Sequence, residues 1–408
     1  MRILYLHQYF ATPDFAAGTR SYEMARRLVA AGHQVTLLTT TTGLDASWAP
    51  SRGWHRHEVD GIELEILHVP YTNYMSFRQR VWAFFRFAWY ASWRARKGAP
   101  DVVFATSTPL TIAIPALAAK IWHRVPMVFE VRDLWPEIPI AVGALTNPVA
   151  KVMARWLEWV AYHGAAHVVA LSPGVAQAVI KRGISPDRVT VIPNSCDMDM
   201  FDVPSEQGAG IRERLGLEID QPLIVYTGKF GRVNAMEYLV EVAAVARTLS
   251  PTMRFLLIGD GVKKPETVAL AQEKGVLGQN LFIWDPICKK EIVNVLAAAT
   301  VATSTTVNVE AMWNNSANKF FDALAAGTPT AINYGGWQAD LLNETGAGIM
   351  LPPDDPAEGA RYLAEFVQDG PRLKAAGETA RHLARTRFNR DDMARQLETI
   401  LRTVGTGD

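Results

Sequence analysis

Two stretches of this sequence gather the residue types that hold a phosphate group. Residues 314–329, NNSANKFFDALAAGTP, place a hydroxyl at Ser316, an amide at Asn318, a cation at Lys319 and a carboxylate at Asp322. Ser316 reads as the N-cap of a helix running from about Ala317 to Ala326, with Gly327 and Pro329 to end it. The first turn of such a helix presents backbone N–H groups and the positive end of the helix dipole, which together form an anion site. Lys319 adds a full charge there. Asn318 lies four residues before Asp322 and Lys319 three, so all three share one face. One turn rises about 5.4 Å, comparable to the step from a diphosphate to the adjoining ribose. A phosphate at the helix tip with ribose hydroxyls on Asp322 is therefore geometrically sensible. An ordinary capped helix with a surface Lys–Asp pair has the same spacing.

The second stretch is residues 226–234, YTGKFGRVN. Gly228 and Gly231 let backbone approach an anion, and Lys229 and Arg232 can neutralise a diphosphate leaving group. A solvated turn is the alternative, but two cationic loops at one sheet edge weigh against it. Gly259-Asp260-Gly261 follows another strand without the third glycine of a dinucleotide fingerprint. No Walker A loop occurs, so neither hydride transfer nor NTP hydrolysis is favoured.

Both stretches sit at strand ends in a repeating pattern. Residues 3–7, 34–40, 62–68, 101–106, 126–131, 167–171 and 189–192 read as strands, with helical periodicity at 21–31 and 110–123. The alternation restarts with strands at 223–226, 255–258, 281–284, 302–305 and 330–333, and helices at 236–248, 289–299 and 319–326. Strands apolar on both faces, joined by helices, imply an α/β fold with a parallel sheet covered on both sides. The restart predicts two Rossmann-like, doubly wound domains, 1–195 and 221–385, separated by a linker at 196–220. A tail at 386–408 is expected to be a helix packing back on the first domain. Ligands of open α/β sheets bind beyond the carboxyl ends of the strands, so two such sheets facing each other would place the function in a cleft.

Composition sets the outer bounds. With 408 residues, two or three domains are expected. An apolar fraction of 49% and a charged fraction of 20% exclude global disorder. The 41 Lys and Arg balance the 41 Asp and Glu, which argues against a protein built to bind polyanions over its whole surface. Two cysteines are too few for a disulfide framework or a cysteine-based metal site. The N-terminal MRILYLHQYF has no basic-then-apolar signal and no run of about 18 apolar residues occurs, so a soluble cytoplasmic protein is expected.

The pieces together resemble the GT-B glycosyltransferases of the large retaining family 4, and within it the bacterial branch that extends surface polysaccharides such as O-antigen and capsule. The resemblance rests on GTRSYEMARRLVAAGHQVTLLTT, FEVRDLWPE at 129–137, VIPNSCD at 191–197, YTGKFGR, LLIGDG and NSANKFFDALAAGTP. It implies an acceptor-binding first domain and a nucleotide-sugar-binding second domain. The family's Glu, seven residues, Glu motif falls on Asn314 and Asp322; Asp322 stays acidic and would bind ribose, whereas Asn314 does not. The paired cations that family members place on the diphosphate fall on Lys229 and Asn234, and Arg232 would supply the cation lost at Asn234. Glu130, Arg132, Asp133 and Glu137 would line the first-domain side. Of these, Asp133 is favoured to orient and deprotonate the acceptor hydroxyl, although a salt bridge between Arg132 and an acid fits the same residues. His7 ends the first strand, and Gly18 would offer a backbone amide to the donor phosphate. No metal and no cofactor is implied, because cations and helix-terminal amides would carry the charge.

Residues 77–97, FRQRVWAFFRFAWYASWRARK, hold eight aromatics and six cations, and no acid occurs between Ile66 and Pro100. A buried helix with outward arginines is one reading. The other is an interfacial helix with Trp82, Phe85, Trp89 and Trp93 at the headgroups and Arg86 on anionic lipid. Nucleic acid is not favoured as a partner, because no reader fold accompanies the patch. The remainder of the chain carries 35 cations against 41 acids, so neutrality conceals a basic segment in an acidic protein.

The expected function is a membrane-peripheral retaining glycosyltransferase on the inner face of the plasma membrane. It would move a sugar from a nucleoside diphosphate, with UDP the expected carrier, to a hydroxyl of a lipid-linked saccharide. Two rivals remain: a UDP-sugar 2-epimerase on the same fold, and a non-catalytic membrane-surface scaffold.

Overall fold

The computed structural model describes residues 1–72 and 74–406. Asn73, within the acid-free stretch, and Gly407 and Asp408, within the expected tail, lie outside the described residues, as do the side chains of Ala46 and Phe77. The chain divides into two compact units. The first comprises Met1–Pro193, Asn314–Ser316 and Asp391–Asp408; the second comprises Asn194–Trp313 and Ala317–Arg390.

The first unit is built on strands β1 (Arg2–Leu6), β2 (Gln34–Thr40), β3 (Trp54–Val59), β4 (Ile62–Leu67), β5 (Val102–Thr106), β6 (Met127–Val131), β7 (His167–Ala170) and β8 (Val189–Val191). Their order is β3-β4-β2-β1-β5-β6-β7-β8, parallel throughout except for the β3–β4 hairpin. Every residue of VVFAT in β5 and MVFEV in β6 is buried, so both sheet faces need cover. Helices α1 (Arg20–Ala30), α2 (Phe77–Arg94), α3 (Ala113–His123), α4 (Glu137–Ala141), α5 (Pro148–Gly164) and α6 (Pro173–Lys181) follow in the chain. One face is covered by α2, α3, α5 and α6 through residues such as Phe87, Ala116, Tyr162 and Val179. The opposite face takes Met24 and Leu28 of α1, with Met393, Leu397 and Leu401 from the chain's end.

The second unit begins with α7 (Met198–Phe201) and α8 (Ala209–Arg214). Strands β9 (Leu223–Thr227), β10 (Arg254–Ile258), β11 (Leu281–Trp284), β12 (Val301–Ser304), β13 (Thr330–Ile332) and β14 (Gly348–Met350) then form a parallel sheet of order β11-β10-β9-β12-β13-β14. Between and after them run α9 (Met236–Leu249), α10 (Lys264–Glu273), α11 (Lys289–Ala298), α12 (Asn318–Ala326), α13 (Trp337–Thr345), α14 (Pro356–Gln368) and α15 (Gly370–Thr386). The last helix, α16 (Arg390–Thr406), starts in the second unit and continues in the first.

Residues 196–220, expected as a linker, belong to the second unit. Phe201 is fully buried there and Ile211 and Leu215 pack against its core, so apolar burial fixes the segment. The edge strand β3 and the three-residue β14 were not anticipated. The C-terminal helix begins at Arg390 rather than 386.

Candidate functional site

In each sheet the strand order reverses at one place, and the loops at such a point form a ligand crevice. In the second unit the reversal lies between β9 and its neighbour β12. The loop after β9 carries Gly228–Asn234 and the segment after β12 leads to α12, so the fold brings the two predicted anion loops together. Thr305 Oγ1 donates to the carbonyl of Asn234 at 2.7 Å, and the Val307 amide donates to the carbonyl of Val233 at 3.0 Å. Glycines make the approach possible: a Cβ on Gly259 would stand 1.7 Å from the Gly228 carbonyl oxygen. Gly259-Asp260-Gly261 is thus a packing turn against the first loop.

Lys319 is the centre of this site. Its ammonium lies over the Tyr226 ring, 4.0 Å from the centroid, and donates to the Tyr226 hydroxyl at 2.9 Å. That hydroxyl donates in turn to the carbonyl of Lys229 at 2.8 Å. A Cβ on Gly228 would come within 2.9 Å of the Lys319 Nζ, so glycine is needed beside it. Burial pushes the Lys319 pKa down to about 7. Among the described residues no carboxylate pairs with it. Burial likewise raises the Tyr226 hydroxyl far above its ordinary value, so it stays protonated.

Two expectations change here. The N-cap is Ala317, which makes no side-chain cap hydrogen bond, and not Ser316, which is buried one residue earlier. Asn318 is half-buried in the first turn, and Lys229 and Arg232 are exposed on the loop after β9. Lys319 and Asp322 do not face one another as a pair. The Asp322 Oδ1 lies 3.0 Å from the Lys289 ammonium, inside a cluster with Asp197 and Arg390. Burial raises the Asp322 pKa against the pull of Lys289. Lys289 itself is held above its ordinary value, because Asp322 and Asp197 outweigh the burial that opposes its charge. Asp197-Met198-Asp199 has the acid-x-acid spacing of a metal-binding run, but Asp197 is engaged by Arg390 and Lys289.

In the first unit the reversal lies between β1 and β5. Here His7, Ser21, Ser107 and Arg132 form one hydrogen-bonded set, and the next residues along each chain segment, Thr108 and Asp133, pair with each other. The His7 Nε2 is 3.3 Å from the Arg132 guanidinium, and its Nδ1 is 2.8 Å from the Ser21 hydroxyl. Arginine can only donate, so we assign the Nε2 as acceptor and the proton to Nδ1. Burial, and then Arg132, hold the His7 pKa well below its ordinary value, which keeps the ring neutral. The Arg132 amide donates to Ser107 Oγ at 2.9 Å, and Thr108 Oγ1 donates to Asp133 Oδ2 at 3.1 Å. Thr108 has a φ of 87°, a left-handed conformation that costs a β-branched residue about 1–3 kcal/mol and concentrates at functional sites.

Other predicted residues fall elsewhere. Glu130 is fully buried in an ion pair with Arg20 at 2.8 Å and accepts from Thr106. Burial acts to raise its pKa, but Arg20 holds it below the ordinary value, and it is core structure and not a lining residue. Glu137, at the start of α4, pairs with Arg182, which also holds Glu158 at 3.1 Å. The structure does not join it to the Arg132–Asp133 set. Gly18 is half-buried two residues before α1.

The aromatic stretch forms α2, with Trp82, Phe85, Trp89 and Trp93 exposed, Trp82 by 72%. Its buried stripe is Ala83, Phe87 and Ala91. Trp82, Phe85, Arg86, Trp89 and Tyr90 line an open groove of about 620 Å³. Among the described residues no helix is long and apolar enough to cross a membrane. Sequence reasoning had no signal for Ser21, Tyr226 or Lys289, whose partners His7, Lys319 and Asp322 are on other elements and meet them only in the fold; Thr108 carried one, since it precedes a proline at a strand end.

Comparison with known proteins bears on both units. Residues 17–200 match the model described as Glycosyltransferase Family 4, and residues 221–369 match that described as Glycosyl transferases group 1. The D-inositol 3-phosphate glycosyltransferase of Xylanimonas cellulosilytica is 28% identical over 289 residues, which are 68% of this chain and 66%, just under two thirds, of that relative. Sucrose-phosphate synthase from Thermosynechococcus elongatus superposes with a TM-score of 0.79 over 100% of both chains at 17% identity. Anabaena HepE in complex with UDP and glucose gives 0.73 at 16% identity, covering 99% of this chain and 100% of that one. The two parallel-sheet units thus have the GT-B fold, and each matches a glycosyltransferase family model.

Proposed function

We propose that this protein transfers a sugar, with retention of anomeric configuration, from UDP to a hydroxyl of a lipid-linked saccharide in surface polysaccharide synthesis. The observation that carries the donor half is Lys319, a half-buried ammonium without a carboxylate partner among the described residues, at the reversal point of the second sheet. A diphosphate supplies the missing anion. Lys319, Asn318 and the first-turn amides of α12 would hold it, with Ser316 just before them and Lys229 and Arg232 on the adjoining loop. With Oδ1 committed to Lys289, Asp322 would offer Oδ2 to the ribose hydroxyls. HepE, which shares the fold, binds UDP and glucose, and this supports UDP as the carrier.

On the acceptor side, Asp133 would orient the attacking hydroxyl on the face from which UDP departs and take its proton, while the hydroxyl oxygen bonds the anomeric carbon on that face and the bond to the UDP oxygen breaks, so that configuration is kept. Arg132, fixed by neutral His7 and Ser107, would steady negative charge beside it. An aromatic chain leads from His7 to α2: Tyr9 lies 6.5 Å from His7, and Tyr71 and Phe84 follow at 5.3 and 6.5 Å from Tyr9. That continuity supports an acceptor delivered from an anionic membrane surface on which α2 rests, at the inner face of the plasma membrane. The test is calorimetry with UDP, followed by a screen of UDP-sugars against lipid-linked saccharides read by mass spectrometry. No binding at millimolar UDP refutes the donor site, and an isomerised UDP-sugar without acceptor identifies an epimerase instead.

A further inference from the structure

Helices α2, α3 and α5 lie in a row on one face of the first sheet, each sending alanines into the same core. Their outward sides are not polar. On α5, Val149, Val152, Met153, Trp156 and Trp159 are exposed, from 51% at Trp159 to 66% at Val152. This is a stripe at helical spacing, directly opposite the buried Glu158, Ala161 and Tyr162. The helix is therefore apolar on two sides, and the sheet uses only one. Between α2 and α5, α3 exposes Ile121 and Trp122. The α2 and α3 surfaces join: Trp93 and Trp122 are 6.1 Å apart, and the Arg96 guanidinium lies 5.1 and 4.6 Å over their two rings.

The charge on this surface has one sign. Residues 102–129 and 138–157 contain no Asp or Glu, as is true of 66–100, and Glu158 is buried against Arg182. Exposed Arg78, Arg96, Lys97, Arg124 and Arg155 flank the aromatics. We propose that the outward faces of α2, α3 and α5 form one platform seated on an anionic bilayer, with α5 as a second inserting element. Tryptophan and valine fill the headgroup–acyl boundary while the flanking cations meet lipid phosphate. A second copy of the chain is a poorer occupant, because stacking this face on itself sets cation against cation. The inference rests on the membrane reading of α2 and extends it to helices that reading left out.

The experiment uses the full chain and sucrose-loaded vesicles of phosphatidylcholine alone or mixed with phosphatidylglycerol. Val152→Ser with Trp156→Ser on α5 is compared with Trp82→Ser with Phe85→Ser on α2, and an unchanged urea transition of the first unit, together with unchanged UDP affinity, serves as the control for folding. The expected result is that the α5 pair lowers partitioning onto the anionic vesicles by about tenfold, with UDP affinity unchanged and little binding to the neutral vesicles. If only the α2 pair loses binding, the platform is refuted and the single-helix reading stands. If neither does, both fall. A concentration-dependent dimer in sedimentation that the α5 pair abolishes, with vesicle binding unaffected, assigns the face to self-association and overturns the proposal.

Discussion

If Lys319 is the cation that meets the diphosphate, donor binding must draw in a proton. The free protein holds this ammonium over Tyr226 with its pKa near 7, so at pH 8 about one molecule in ten carries the charge. A bound diphosphate returns the group towards its ordinary value of roughly 10.4, where it is charged at pH 8. Binding therefore takes up about 0.9 proton, and apparent affinity falls by up to tenfold per pH unit above 7. The largest coupling, set by the distance from about 7 to 10.5, is about 5 kcal/mol. The assay is UDP titration calorimetry at pH 8 in two buffers of different ionisation enthalpy, where the terminal phosphate of UDP has lost its proton. The slope of observed against buffer enthalpy gives the uptake. The sign for the empty protein is opposite. A lysine whose folded pKa is depressed destabilises the fold fully below that pKa, and the penalty fades as pH rises towards the unfolded value. Lys319→Met should thus raise the melting temperature at pH 6 while weakening UDP and abolishing the uptake. A zero slope in the wild type, unchanged by Lys319→Met, would refute the reasoning.

Three further predictions follow from the same geometry. Asp133→Asn should lower kcat by about 10²–10⁴ with UDP affinity unchanged, the range for loss of a positioned base; steady-state kinetics with a matched donor–acceptor pair checks it. Glu130→Ala leaves the buried Arg20 guanidinium uncompensated and should destabilise the first unit by about 3–5 kcal/mol, read as an earlier transition in urea. Asp322→Ala should weaken UDP in calorimetry and also cost stability by taking from the buried Lys289 the nearer of its two carboxylate partners; unchanged affinity with lowered stability would leave Asp322 to the ion cluster alone.

Much of the architecture was legible because buried parallel strands are written as short apolar runs, and β5, β6 and β9 are of this kind. The edge strand β3, WHRHEV, alternates polar residues and carries no such signature. The placing of Gly228, Lys229, Asn318 and Lys319 was also legible, since they sit in short segments with a fixed relation to a strand or helix end. Partner choice was not. Lys319 meets Tyr226 from 93 residues away, and Asp322 turns to Lys289 on another helix, because tertiary packing overrides helical spacing when a better partner is enclosed nearby. The same limit hid α5: PVAKVMARWLEWVAYHG has the spacing of a core helix, and only the fold decides which stripe meets the sheet.

The C-terminal helix has a consequence for synthesis. Met393, Leu397 and Leu401 of α16 cover the face of the first sheet that also takes Met24 and Leu28. Some two hundred residues of the second unit are translated between β8 and that cover. During elongation the first unit therefore carries an apolar sheet face that lacks this cover until α16 leaves the ribosome. A protein cut just after Arg390 should keep its second unit and lose its first, so damage in α16 would be felt by the N-terminal half.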